Sequence, residues 1–129
     1  MAITFYPKAG QIFVCNLKEF RPPEMGKIRP VVVISPRLPF RSEIVTIVPL
    51  SLTAPVRDVP FNYRLSRNYH PSSPDDLPVW AKADMILNLS RGRLNGFKVG
   101  RRQWKIPQMT PEDLAGAGKP SWLRWVLIR

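Results

Sequence analysis

Arg29 stands where a loop containing Gly26 runs into the apolar stretch Val31-Val32-Val33, and Ser51 follows the next apolar stretch at Pro49-Leu50. A guanidinium anchored at the edge of a strand is planar and carries its donors in a fixed fork. It can bridge two phosphate oxygens and stabilise the extra negative charge of a phosphorus centre as it becomes pentacovalent. A serine hydroxyl nearby can contact the same phosphate or orient the guanidinium. Each residue also has a plainer reading, Arg29 as a salt bridge or a hydrogen bond to a loop carbonyl and Ser51 as a turn or cap.

A second group of cations is crowded rather than pointed. Lys82, Arg91, Arg93, Lys98, Arg101, Arg102 and Lys105 share a stretch whose only acid is Asp84, with Phe97 and Trp104 between them. Such a tract neutralises phosphates and offers rings to splayed bases, as surfaces for single-stranded nucleic acid do. The alternatives are a solvated basic face around two ordinary core aromatics, or a docking surface for an acidic protein. The whole chain shares the bias: 20 Lys and Arg against 9 Asp and Glu give a net charge of +11. That balance favours polyanions, nucleic acid before an acidic protein and both before an anionic membrane surface.

Other chemistries are closed off. Cys15 and His70 are single residues of their types, so neither an internal disulfide, nor a zinc finger, nor an acid-base pair of histidines can be built within one subunit. His70, just before Pro71, reads as a solvated loop residue, with approach to RNA as the alternative. The start MAITFYPKAG has no basic stretch followed by an apolar core, and no apolar run nears the roughly 18 residues that span a bilayer. A cytoplasmic protein that does not enter membranes is expected.

The elements that must hold these groups read mainly as strands. A chain of 129 residues, 44% hydrophobic and 22% charged, suggests one folded domain over 1–129. Residues 11–17 form a first strand. The β-branched run at 30–35 forms a buried central strand starting at Pro30, where a missing N–H costs least. Residues 43–50 make a third strand, close enough to the second for an antiparallel hairpin, and 58–65 a more exposed fourth. The segment SRNYHPSSPDDLP marks a flexible loop over 66–79. Residues 80–90 then read as one strand with Met85, Leu87 and Leu89 on a common face, a short helix being the alternative, and 104–106 as a short final strand. Thr110, Pro111, Glu112 and Asp113 are the cap, first-turn proline and first-turn acids of a brief helix. Beyond the glycines Gly116 and Gly118, residues 122–128 form a second helical or extended end. The sum is a small, curled, mainly antiparallel β domain with a helical C-terminal element starting near 110.

The same residues carry a family resemblance. Gly10-Gln11-Ile12-Phe13, then Glu24-Met25-Gly26-Lys27-Ile28-Arg29-Pro30-Val31-Val32-Val33-Ile34-Ser35, then Val48-Pro49-Leu50-Ser51 resemble the ordered signature of the PemK/MazF toxins of bacterial toxin-antitoxin systems. Val59-Pro60-Phe61, residues 80–86 and Thr110 to Leu114 extend it over most of the chain. The arginine motif and the Pro-Leu-Ser motif are weak singly and specific together.

The resemblance implies a small SH3-like β barrel with short helical elements that dimerises, cleaves single-stranded RNA without a metal or other cofactor, and is inhibited by a cognate antitoxin. It places Arg29 at the family's phosphate-stabilising arginine and Ser51 where many members carry threonine; serine keeps the hydroxyl and loses the methyl that restricts its rotamer. Asp84 matches an acidic position that serves as a base or orients RNA. Lys82 falls near an arginine used by some members as proton donor, with a different geometry and pKa. Lys27, Arg91, Arg93, Lys98, Arg101, Arg102 and Trp104 are the expected RNA contacts. A noncatalytic RNA-binding or antitoxin-binding module is the competing reading.

Overall fold

Val31, Val32 and Val33 are all fully buried, which a strand achieves only when both its faces are covered. The computed structural model describes residues 3, 5–16, 28–35, 43–53, 62–83 and 85–118, and these three valines lie at its centre. The elements are β1 (Ile12–Asn16), β2 (Ile28–Val33), β3 (Ile44–Ser51), β4 (Asn62–Arg64), β5 (Trp80–Lys82), β6 (Leu87–Ser90), β7 (Leu94–Asn95), β8 (Phe97–Gly100), β9 (Gln103–Lys105) and one helix, α1 (Pro111–Gly118). The protein is mainly β, and its pairings are antiparallel. The strands run β4-β5-β3-β2-β1-β7 with β6 also on β3, and β8-β9 make a separate ribbon. Among the described residues this path is an open, branched sheet rather than a closed barrel.

Alternation along the strands splits the core in two. Phe13, Cys15, Val31, Val33, Val45 and Ile47 pack on one face with Leu89 and Leu94. Ile12, Val32, Val48 and Leu50 pack on the other with Phe97, Met109 and Ala117. Burying each of these aliphatic side chains contributes about 1.5–3 kcal/mol, and a one-residue slip would exchange the two sets.

Two boundaries differ from the sequence reading. β2 begins at Ile28, so Pro30 lies inside it, opposite Val14 of β1. The proline is tolerated because the ladder between β2 and β3 covers only Val31 to Val33, leaving Pro30 outside it. Residues 80–90 are not one strand but two. A turn in which Met85 N–H donates to the Lys82 carbonyl at 2.9 Å redirects the chain. β5 then pairs with the Leu50-Ser51 end of β3, and β6 with its Ile44–Ile47 half. Leu89 still packs on the first core with Met85 and Leu87 against it.

α1 is built as its residues dictate. Thr110 Oγ1 accepts from Asp113 N–H at 3.2 Å, the Thr110 carbonyl takes the first helical bond from Leu114, and Pro111 needs no partner for an N–H. Residues 122–128, expected as a second end, lie outside the described residues.

Candidate active site

The register Val31↔Pro49 is the last rung between β2 and β3. Beyond that rung Arg29 and Ser51 both line one cavity. Lys82 lies on the same sheet face as Ser51, because Ser51 pairs with Trp80 and Lys82 is two residues along β5. The ladder between β2 and β3 ends here. Arg29 stays with Cys15 of β1, whereas Leu50 and Ser51 go to β5.

Ser51 is buried, and its Oγ accepts from Thr53 N–H at 3.1 Å, which fixes the oxygen and leaves the hydroxyl hydrogen to donate elsewhere. Arg29 is half-buried at the second position of β2. A cavity of about 290 Å³ opens at this fork, with Arg29 and Ser51 in its lining. Its other walls are mostly apolar, including Ile12, Pro30, Leu50 and Phe97, while Asn68, His70 and Ser73 bring polar groups to one side. Ile28 and Leu52, 58% and 60% exposed, form a bare apolar rim.

His70 is the residue sequence reasoning undervalued. Its ring is half-buried, meets Phe97 edge-on at 4.8 Å between centroids, and accepts a hydrogen bond at Nδ1 from Ser72 N–H at 3.1 Å. The backbone around it is equally held. His70 N–H donates to Asn68 Oδ1 at 2.9 Å, and Asn68 N–H to the Asp75 carbonyl at 2.9 Å. Tyr69 OH donates to Asp113 Oδ2 at 2.7 Å and accepts from Thr110 N–H at 3.1 Å, tying the segment to α1. The aromatic and small polar residues of SRNYHPSS were the available signal, but no local pattern says that they fold back onto the fork.

Asp113 holds this wall in place. Almost fully buried, it accepts from Tyr63 OH, Ser66 N–H, Ser66 OH and Tyr69 OH. Burial pushes its pKa up, but the bonds from Ser66, Tyr69 and Tyr63 outweigh that and hold the carboxyl below its ordinary value. Tyr63 moves the other way, raised by burial and by its bond to this carboxylate.

The remaining basic residues divide between two places. Arg91 and Arg93 form a single 3-10 turn beside the Ile44 end of β3, about 20 Å along the strand from Ser51. Arg91 there pairs with Glu43 at 3.4 Å. Lys98, Arg101, Arg102 and Trp104 lie on or at the turn of the β8-β9 ribbon, where Arg102 takes a left-handed φ of 57°. Phe97 is buried, so it is a core ring rather than a platform offered to bases. Asp84 and Lys27 lie outside the described residues.

Residues 8–117 match the family of PemK-like, MazF-like toxins of type II toxin-antitoxin systems. The chain belongs to the PemK/MazF toxin family. It is 36% identical over 140 residues to the uncharacterized protein YifN of Escherichia coli (strain K12), covering 88% of this chain and 87% of that one. Its fold is similar to that of an endoribonuclease from Mycobacterial species, at TM-score 0.57 and 21% identity over 89% of this chain and 88% of that one. It is also similar to an endoribonuclease in complex with its cognate antitoxin from Mycobacterial species, at TM-score 0.56 and 18% identity over 86% of each. In this PemK/MazF chain the arginine and hydroxyl motifs of the sequence therefore fall together at one strand fork.

Proposed function

We propose that this PemK/MazF chain is an endoribonuclease toxin that cuts single-stranded RNA without a metal. The observation that carries the reading is that Arg29 and Ser51 line one cavity just beyond the last rung between β2 and β3. Family membership and the names of the similar structures support it.

The chemistry follows from the groups. A base takes the proton of a ribose 2′ hydroxyl and O2′ bonds to the adjacent phosphorus. The P–O5′ bond then breaks, and a donor protonates the leaving oxygen. The products are a 2′,3′-cyclic phosphate and a 5′ hydroxyl. The Arg29 fork binds the equatorial oxygens as charge builds in the pentacovalent state, and the fixed Ser51 hydroxyl donates to one of them. Asp84 is assigned as base and Lys82 as donor, the latter on the same sheet face as Ser51. The substrate is held by the basic ribbon, and the chain works as a homodimer. A cognate antitoxin with an acidic, amphipathic segment silences it, and the bare Ile28 and Leu52 rim suits the apolar side of such a segment.

The test is incubation of wild-type and Arg29→Ala proteins with a defined RNA library in chelator, mapping both new ends. Cyclic phosphate and 5′ hydroxyl ends from the wild type alone support the proposal. RNA retained with no new ends would instead make the chain a binding module.

A further inference from the structure

We infer that the cavity beside Arg29 and Ser51 is a base-reading pocket, in which His70 donates a hydrogen bond from Nε2 to an acceptor on the nucleobase next to the scissile phosphate. The inference rests on the ribonuclease reading for where the phosphate lies. Three observations carry it. The cavity shares Arg29 and Ser51 with the proposed phosphate site, so a nucleotide adjoining that phosphate reaches it without a long span. Its walls are mainly apolar, with a few polar groups converging from the 68–73 segment. That composition suits a flat heterocycle, with the Arg29 guanidinium left for the adjoining phosphate.

The third observation is the state of the imidazole. Ser72 N–H occupies Nδ1 as an acceptor, so a neutral ring carries its proton on Nε2 and is a donor there. Packing on Phe97 fixes the ring plane, so the ring is held before the RNA arrives. The charged and titratable groups around the ring are Arg29 in this cavity, and Arg67, Tyr69, Asp75 and Lys105 in the neighbouring cavity that His70 and Ser73 also line. Arg67 is already engaged by Asp75 at 3.2 Å. A site built to hydrogen-bond one base edge rejects bases that lack the acceptor.

The chain has a single histidine, so its imidazole resonances need no assignment. The first arm uses the Arg29→Ala protein, which leaves RNA uncut, and follows the ring nitrogens by NMR while single-stranded RNA is added. The proposal expects an Nε2–H tautomer whose Nε2 signal moves on binding. A ring that stays unmoved while RNA binds, or RNA that fails to bind at all, overturns it. The second arm maps cleavage preference in the library. His70→Ala, and Ser73→Phe placed to plug the cavity, should each cut the preferred RNA about tenfold less well and relax preference at one position beside the cut. His70→Gln, which keeps an amide N–H near Nε2, should restore the preference. Unchanged preference in both His70→Ala and Ser73→Phe, each folded by thermal melt, overturns the pocket. A wild type that cuts nothing while the first arm succeeds rejects the ribonuclease reading alone.

Discussion

At the scale of single residues, the proposed mechanism gives Arg29 and Ser51 different roles that substitution can tell apart. On the proposed mechanism Arg29→Ala removes the bidentate donor from the pentacovalent phosphate and should lower kcat by about 10²–10³, read as loss of new RNA ends by a protein whose melting temperature is unchanged. Ser51 makes a subtler test, because its Oγ is already held by Thr53 N–H. Ser51→Ala should cost roughly tenfold in kcat, the effect of one hydrogen bond. Ser51→Thr should keep the activity, since the added methyl narrows the rotamer without removing the hydroxyl. Equal loss in both variants would give Ser51 a packing role. The motif around Arg29 was legible in the sequence as chemistry. His70 was not, because its value depends on Phe97 and Ser72 N–H, neighbours that no spacing in the chain reveals.

At the scale of elements, α1 and the 62–70 segment stabilise one another through Asp113. The carboxylate accepts four hydrogen bonds from side-chain and backbone donors outside the helix, so Asp113→Asn should lower stability at neutral pH by about 2–4 kcal/mol. The pH dependence has a definite sign. A carboxyl whose folded pKa lies below the unfolded one adds stability that is present above the unfolded value, and loses it as pH falls through the folded value. Urea denaturation of the wild type should thus show stability dropping as pH is lowered below about 4, and Asp113→Asn should flatten that part of the curve. Gly116 makes a second, independent point. A Cβ there would overlap the Tyr63 ring, so Gly116→Ala should destabilise in spite of alanine's better helix propensity. The sequence showed the cap and the first-turn acids of α1 but credited Asp113 only to the helix dipole. The network was invisible because Tyr63, Ser66 and Tyr69 come from a segment about 45 residues away.

At the scale of the whole molecule, the net charge of +11 includes two basic groups set apart by the fold, the turn at Arg91 to Arg93 and the β8-β9 ribbon. Replacing Lys98, Arg101 and Arg102 together by glutamate should weaken RNA binding and flatten its salt dependence, by about 0.7 in slope for each phosphate no longer neutralised. Cleavage at saturating RNA should survive, because these side chains are outside the fork. Titrating labelled RNA between about 50 and 200 mM salt reads the slope directly. The sequence by itself determined the antiparallel β class, the short capped helix, the pull toward polyanions and the paired arginine and hydroxyl motifs, because alternation, capping and composition are local properties. Only the tertiary structure decided that β3 changes partner midway, splitting 80–90 into two strands. Only the tertiary structure, too, brings Arg29, Ser51 and His70 into the lining of one cavity. Those are consequences of register between segments far apart in the chain, fixed by burying both faces of β2 at once, and no local pattern encodes them.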